Sequence, residues 1–209
     1  MKIGVIGNGF VGKATSILKC KDIDLMSYDI NPELCSPIGL KLNDMKECEI
    51  IFISVPTPMK ESGECYINIV NEVINNLKNI NFKNYIVLRS TVPVGTCDKL
   101  GIYFMPEFLT EKNYLEDFKN SKEWIFGLPI EDSNFKNKIK NLISLARNNN
   151  KIKNDNITFM TNKEAEMVKM FKNCFLATKV SFCNEMAQFC DLKGINYENV
   201  RKVSCLDDR

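Results

Sequence analysis

The stretch from Lys2 to Gly12, KIGVIGNGFVG, decides the predicted fold. Residues of strand-forming character lead into a glycine-rich turn, and the next residues, VGKATSILKC, have the composition of a helix. Gly7, Gly9 and Gly12 form a G-x-G-x-x-G spacing. This spacing indicates a dinucleotide-binding site when, as here, it lies between a predicted strand and a predicted helix. Gly7 would permit a tight turn, Gly9 would let the backbone approach a pyrophosphate, and Gly12 would let helix and strand pack closely. The stretch therefore predicts a dinucleotide-binding turn.

Further apolar runs alternate with helical patterns as far as Thr161. The predicted strands are LMSYD, IIFISV, YIVLR, IYFM, WIFG and ITFM, and the clearest helices between them are YINIVNEVINNL and EDSNFKNKIKNLISLA. Strands that are buried on both faces of a parallel sheet read as continuous apolar runs. Their alternation with helices predicts an α/β fold with a doubly wound, mostly parallel, Rossmann-like sheet.

The pattern changes after Thr161, because residues 162–193 contain no Pro or Gly and keep apolar residues at helical spacing. This predicts one long helix, which Gly194 would end. We divide the chain into a Rossmann-like domain, residues 1–160, and residues 161–209, which hold the long helix and the start of a helical linker or dimerisation region. The apolar side chains of the helix predict a partner, either a second copy in a homodimer or a further domain.

Composition excludes several classes of function. The net charge of +2 gives no reason to expect a nucleic-acid partner or an anionic membrane surface. The sequence has no His and no C-x-x-C pair among its nine Cys, so we expect no metal site. We expect no signal peptide, because Gly and Asn interrupt the first apolar run at once, and no apolar run approaches the ~20 residues of a membrane span. Scattered, reduced, mostly buried thiols are typical of a cytoplasmic protein.

Asp29 ends the predicted second strand and follows the glycine-rich turn. A carboxylate at this position hydrogen-bonds a ribose 2′-hydroxyl and repels a 2′-phosphate. The sequence therefore favours NAD over NADP as the cofactor.

Four further stretches follow predicted strands or lie on the long helix. They are VPTP (55–58), RSTVPVGT (89–96), MPEFLTE (105–111) and EAEMVKMFKN (164–173). Ligands bind at the carboxyl ends of strands in open α/β sheets, so hydroxyls of the first two stretches would face a nicotinamide ribose. Pro106 would begin a helical turn with Glu107 and Glu111 on one side. Lys169 and Asn173 are spaced to share one helical face, and a partly desolvated Lys can act as a base or stabilise negative charge.

In the order GNGFVG, VPTP, STVPVGT, PEFLTE and AEMVKMFKNCFLATKVSFCNE, these stretches resemble the UDP-glucose/GDP-mannose 6-dehydrogenase family across nearly the whole chain. The resemblance implies that NAD contacts Gly7, Asn8, Gly9, Phe10, Val11, Gly12, Asp29, Val55, Pro56, Thr57, Pro58, Met59, Ser90, Thr91, Val92 and Glu111. It implies catalytic roles for Thr91, Glu107, Lys169 and Asn173. It implies substrate contacts for Glu107, Phe108, Leu109, Lys169 and Asn173. Leu34 departs from the family, which often has Lys or Arg there.

The implied reaction oxidises the C6 alcohol of a nucleotide sugar, UDP-glucose or a relative, to a carboxylate with two NAD. In the family a Cys captures the intermediate aldehyde, and that Cys lies in a GFGGxC-type motif after the segment that CLDDR resembles. The sequence has no such motif, and Cys205 comes too early and lacks the flanking glycines. We therefore expect a truncated family member that cannot complete the reaction alone.

Two alternatives remain open from the residues. The chain could be a non-catalytic NAD-binding module whose long helix mediates dimerisation. It could also be a small β-hydroxyacid dehydrogenase that uses Lys169 without a cysteine, because that wider class has a related Lys-x-x-x-Asn helix.

Overall fold

Seven strands form one sheet in the computed structural model, which describes residues 1–204. The strands are β1 (Lys2–Ile6), β2 (Asp24–Tyr28), β3 (Ile50–Ile53), β4 (Tyr85–Leu88), β5 (Tyr103–Phe104), β6 (Trp124–Leu128) and β7 (Ile157–Thr161). Their order across the sheet is β2-β1-β3-β4-β5-β6-β7. Neighbours are parallel except β5 and β6, which pair antiparallel between Phe104 and Gly127. The predicted doubly wound, mostly parallel, Rossmann-like sheet is confirmed.

Seven α-helices accompany the strands within the described residues. They are α1 (Phe10–Thr15), α2 (Asn68–Asn79), α3 (Thr96–Leu100), α4 (Tyr114–Lys119), α5 (Ser133–Asn148), α6 (Asn162–Leu192) and α7 (Tyr197–Ser204). The Asp132 carboxylate accepts a hydrogen bond from the Phe135 N–H and begins α5. Gly194 has a φ of +65° two residues after the last residue of α6, close to where the sequence predicts that the long helix ends.

The sheet has apolar layers on both faces because its strands alternate. Ile50 and Phe52 of β3 face the side that α5 covers, while Ile51 and Ile53 face the side that α2 covers. The apolar face of α5 is fully buried, as its spacing predicts, through Phe135, Ile139, Leu142, Ile143 and Ala146. The continuous apolar runs of the sequence are thus explained by burial on both sides.

The chain divides into two compact units. The first, Met1–Lys169, holds the whole sheet, α1 to α5 and the first turns of α6. The second begins at Met170 and holds the rest of α6 and α7. Within the second unit most large apolar side chains are exposed, including Phe171, Phe175, Phe182 and Phe189, while Cys190 is buried. A functional domain boundary after residue 160 stays a prediction.

Among the described residues, none of the helices combines the length and the apolar character needed to cross a membrane. All eight cysteines in the described part of the chain are unpaired. Cys35, Cys48, Cys97 and Cys190 are buried, and the other four are partly or fully exposed. Cys205, which the sequence does not favour as a nucleophile, lies outside the described residues.

Candidate active site and cofactor cleft

A cavity of about 760 Å³ lies in the first unit at the carboxyl ends of β1 to β4. Strand order reverses between β1 and β3, and an open α/β sheet binds its ligand at such a switch point. The cavity is lined by ten of the predicted cofactor residues: Gly7, Gly9, Phe10, Val11, Asp29, Val55, Pro56, Thr57, Ser90 and Thr91. It is also lined by Glu107 and has a volume within the usual range for ligand sites.

The three glycines of the turn differ in their surroundings. Gly7 has a φ of +89°, and a Cβ there would lie 2.7 Å from the Ser54 carbonyl oxygen. A Cβ at Gly12 would overlap the Gly7 carbonyl oxygen. A Cβ at Gly9 would meet no atom within 4 Å. The fold itself therefore requires Gly7 and Gly12, whereas the space beside Gly9 is open for a ligand and fits the close approach of a pyrophosphate.

Asp29 is fastened to the glycine-rich turn. Its carboxylate accepts a hydrogen bond of 2.7 Å from the Asn8 N–H and one of 2.9 Å from the Asn31 N–H. The Asn8 side chain donates to the Leu34 carbonyl at 2.7 Å, so it holds the loop after β2. A carboxylate has about four lone-pair positions, which leaves Asp29 able to accept from a ribose as well.

The loops after β3 and β4 are joined by two side-chain hydrogen bonds. Thr57 Oγ1 donates to the Thr91 carbonyl at 2.7 Å, and Ser90 Oγ donates to the Val55 carbonyl at 2.6 Å. The hydroxyl protons of Thr57 and Ser90 therefore hold the two loops together. Their oxygens can still accept a hydrogen bond from a ligand, but neither hydroxyl donates to one in this arrangement.

Lys169 and Glu107 form a buried ion pair. Lys169 Nζ lies 2.5 Å from Glu107 Oε1 and also donates to the Glu107 carbonyl, and the two side chains are only 6% and 12% exposed. Lys169 Nζ also lies 5.5 Å from the centre of the Phe108 ring. The pair joins the loop after β5 to the second turn of α6. Because Glu107 lines the cavity, the ion pair lies beside it.

The expected helical turn at Pro106 is wrong. Residues 105–110 have no helical structure, and the next helix, α4, begins at Tyr114. The Glu107 carbonyl accepts from Lys169, and a Glu107 carboxylate oxygen accepts from the Leu109 N–H at 2.9 Å, so both groups stabilise an irregular loop. Glu107 and Glu111 consequently do not share a helical face.

The remaining predicted residues are more scattered. Val92 is buried in the core, Met59 is 78% exposed, and Glu111 is exposed. The Pro58 carbonyl accepts from the Tyr66 N–H. Asn173 is exposed on α6 and belongs to the second unit. Leu109 packs beside the core of the first unit.

Arg89 is a functional candidate to which the sequence assigned no role. Its guanidinium is 2% exposed, donates to Thr15 Oγ1, lies 5.4 Å from the centre of the Phe118 ring and lines the cavity. Burial lowers the pKa of Arg89 to about 10, while the charge of Glu107 acts in the opposite direction, and the group remains a cation at neutral pH. Within residues 1–204 it has no carboxylate in ion-pair contact. A charged residue directly after an apolar strand, YIVLR, was the available signal.

Glu166 is a second such residue. It is fully buried on α6, and its carboxylate accepts from the N–H groups of Gly95 and Cys97. The signal for it was its position three residues before Lys169, which places both on one face of a helix. Within residues 1–204, no group of three His, Cys, Asp or Glu side chains is placed to hold a metal ion.

Comparisons with known proteins agree with this geometry. The profile of the UDP-glucose/GDP-mannose dehydrogenase family, NAD binding domain, matches residues 40–146, and that of the family's central domain matches residues 163–209. A UDP-glucose 6-dehydrogenase of Rickettsia prowazekii is 32% identical and is matched by 100% of this chain over 56% of its own length. One from Campylobacter jejuni is 30% identical, with coverage of 100% and 61%. The chain spans a little over half the length of these relatives.

Solved structures share the fold. A GDP-mannose dehydrogenase from Pseudomonas aeruginosa has a TM-score of 0.83 at 20% identity, and the match covers 100% of this chain and 57% of that one. A UDP-glucose dehydrogenase from Pyrobaculum islandicum has a TM-score of 0.79 at 22% identity, with the same coverage. From its family profiles and its curated relatives, the chain belongs to the UDP-glucose/GDP-mannose dehydrogenase family, with NAD as the cofactor of its Rossmann-like sheet.

Proposed function

We propose that this chain is the NAD-binding part of a nucleotide-sugar 6-dehydrogenase that oxidises UDP-glucose, or a related nucleotide sugar, to the uronate. The observation that carries the proposal is the buried pair of Lys169 and Glu107 beside a cavity that the glycine-rich turn and Asp29 also line. The names of the Rickettsia and Campylobacter relatives support UDP-glucose as the substrate. Residues 1–160 would bind NAD, and residues 161–209 would begin the helical dimerisation region.

NAD, when bound, supplies the hydride acceptor. The open space at Gly9 fits its pyrophosphate, and Asp29 would accept from the ribose hydroxyls of its adenosine half. The Lys169 ammonium is held by Glu107 in a site that excludes most water, where a fixed cation stabilises developing negative charge on an oxygen far better than it does in bulk water. We assign Lys169 this role toward the oxidised sugar oxygen. Glu107 would orient Lys169 and hold a water that accepts protons.

The overall reaction converts a hydroxymethyl group to a carboxylate, so the carbon loses two hydrides and gains one oxygen from water. In the second oxidation the aldehyde must be held, and a covalent adduct with a thiol would do this. No GFGGxC-type motif occurs in the 209 residues. A protein made of these residues alone should therefore not complete the four-electron oxidation.

We also propose that the exposed apolar side chains of α6 pack against a second copy of the chain. Phe171, Phe175, Phe182 and Phe189 recur at spacings that place them on one side of the helix, and each is more than half exposed. Soluble monomers rarely leave so large an apolar surface uncovered. The unpaired state of the described cysteines supports a cytoplasmic location.

Cofactor preference tests the binding part of the proposal. The chain should bind NAD more tightly than NADP, because the Asp29 carboxylate repels a 2′-phosphate. Asp29→Ala should reduce the preference by about tenfold or more, since repulsion and a charged hydrogen bond are both lost. Calorimetric titration of both cofactors measures this, with Asp24→Ala, an exposed position at the start of β2, as the matched control. Equal or tighter NADP binding by the wild-type chain would contradict the role of Asp29.

Turnover tests the catalytic part. The 209-residue protein, incubated with NAD and UDP-glucose, GDP-mannose or an N-acetylated relative, should give no sustained rise in NADH absorbance. Two NADH per sugar would show that the thiol motif is not required. Steady oxidation of small β-hydroxyacids that depends on Lys169 would instead support the β-hydroxyacid dehydrogenase alternative.

A further inference from the structure

We infer that Glu166 is a positioning residue, which fixes the loop carrying Thr91 relative to Lys169. The inference rests on the proposed function, because it concerns the same cleft. It assigns a role to a buried carboxylate that touches neither the cavity nor the proposed reaction centre.

Glu166 is bound by backbone groups on both of its oxygens. Oε1 accepts from the Cys97 N–H at 2.8 Å, and Oε2 accepts from the Gly95 N–H at 2.5 Å. The residue is 0% exposed, and no Lys or Arg among the described residues forms an ion pair with it. A buried carboxylate is costly unless it is fully hydrogen-bonded, so these two charge-assisted bonds are what makes its burial tolerable. An amide of the same shape has only one acceptor oxygen and would turn an NH₂ group toward one of the two N–H donors.

The same face of α6 reaches three successive segments of the first unit. Asn162 Nδ2 donates to the Ile102 carbonyl and to Asp98 Oδ1, both at 2.9 Å. Glu166 follows four residues later and Lys169 three residues after that, which places all three side chains on one helical face. Asn162 therefore binds α3 and the residue before β5, Glu166 binds the start of α3, and Lys169 binds the loop after β5.

The loop between Thr91 and Gly95 is fastened at both ends. At its start, the Thr91 carbonyl accepts from Thr57 at 2.7 Å. At its end, Gly95 donates to Glu166, and Thr96 Oγ1 donates to the Pro93 carbonyl at 2.6 Å. Loss of the Glu166 carboxylate would release the second end and let Thr91 move relative to Lys169. One turn of α6 thus connects the loop after β4, which Glu166 binds, with the loop after β5, which Lys169 binds.

Binding of NAD and of ADP-ribose to the same variants distinguishes a positioning role of Glu166 from a general loss of stability. ADP-ribose shares the adenosine and pyrophosphate of NAD but has no nicotinamide, so only NAD senses the end of the cleft that Thr91 lines. Glu166→Gln should weaken NAD binding about tenfold, because one charged hydrogen bond becomes a repulsive contact, and should change ADP-ribose binding less than about twofold. Glu166→Asp keeps the charge on a shorter arm and should give an intermediate NAD affinity. Glu164→Gln changes an exposed neighbour whose carboxylate accepts hydrogen bonds from Thr161; it is the control and should change neither affinity.

Hydrogen exchange of the ligand-free chain provides an independent measurement. The amides of Gly95 and Cys97 should exchange at least about tenfold faster in Glu166→Gln than in the wild type or in Glu164→Gln. Equal losses of NAD and ADP-ribose affinity, or unchanged exchange at both amides, would overturn the inference. If the wild-type chain binds neither ligand, the proposed function fails, and the exchange rates still decide whether Glu166 holds the loop.

Discussion

The two units bury the same kind of side chain very differently. In the first unit, Phe52, Phe104, Phe126 and Phe135 are each at most 1% exposed, whereas in the second unit Phe171, Phe175, Phe182 and Phe189 are each more than half exposed. A sheet with helices on both faces closes its own core, but a long helix and a short one cannot enclose an apolar surface of that size. The first unit therefore buries its aromatic side chains in its own core, whereas the described part of the second unit leaves its large aromatic side chains exposed.

The largest effect that tests this comparison is expected at Phe135. Phe135→Ala removes a ring that is 0% exposed and packs on Tyr103, so it should lower the free energy of unfolding by about 3–5 kcal/mol. Denaturant titration at low protein concentration measures this. A loss below about 1 kcal/mol would mean that the core of the first unit is loosely packed.

Alkaline pH should expose a second difference between the units. Burial raises the pKa of the Cys48 thiol from 9.0 to about 11, so the folded chain retains a proton that the unfolded chain loses. The stabilisation is complete below pH 9 and falls as pH rises to 11, by up to about 2–3 kcal/mol. Cys48→Ala should make the fall in unfolding free energy across this window shallower, and the buried Cys97 thiol, whose pKa burial also raises, contributes to the fall that remains. The control variant Cys174→Ala, at an exposed site of the second unit, should change the free energy of unfolding at pH 7 by less than about 0.5 kcal/mol.

Substitutions at two glycines of the glycine-rich turn should affect folding and NAD binding of the first unit separately. Gly12→Ala forces a Cβ against the Gly7 carbonyl and should cost about 1–3 kcal/mol. Gly9→Val meets open space, so it should change stability by less than about 0.5 kcal/mol while abolishing NAD binding. Thermal unfolding and calorimetry distinguish the two variants. NAD binding retained by Gly9→Val would argue against the pyrophosphate position.

The smallest effect on stability is expected at Phe182. Its effect on self-association is the most direct test of whether the exposed apolar side chains of α6 form an interface. In dilute monomer, Phe182→Ala should change the free energy of unfolding by less than about 0.5 kcal/mol, because the ring is 62% exposed. At higher concentration, sedimentation should show that wild type dimerises and that Phe182→Ala does so more weakly. A concentration-independent monomer would mean that the apolar stripe of α6 is not a self-association surface.

Sequence reasoning succeeded where the signal is local and repeated. The period of α5 gave its five buried residues, and the absence of Pro and Gly gave α6 nearly to its ends. The prediction of a helical turn at Pro106 failed, because the Glu107 carbonyl accepts a hydrogen bond from Lys169 and not from the backbone of a helical turn. Lys169 lies far along the chain, so a local pattern does not reveal this contact. Sequence reasoning gave no role to Arg89 and Glu166 for the same reason, since a buried charge is explained by its partners and those are set by tertiary structure. The cofactor and substrate roles of individual residues stay predictions.

One side chain of the cleft has two tasks, and this constrains how cofactor preference can change. Asp29 is the candidate that rejects a 2′-phosphate, and it is also the acceptor for the Asn8 N–H inside the glycine-rich turn. A substitution that admits NADP removes the acceptor at the same moment, so its benefit for the new cofactor is offset by a loosened turn. Epistasis should follow: the same substitution would be harmful in the present background and useful only after another group accepts from Asn8. Directed evolution toward NADP should thus proceed through the loop after β2 before it reaches Asp29.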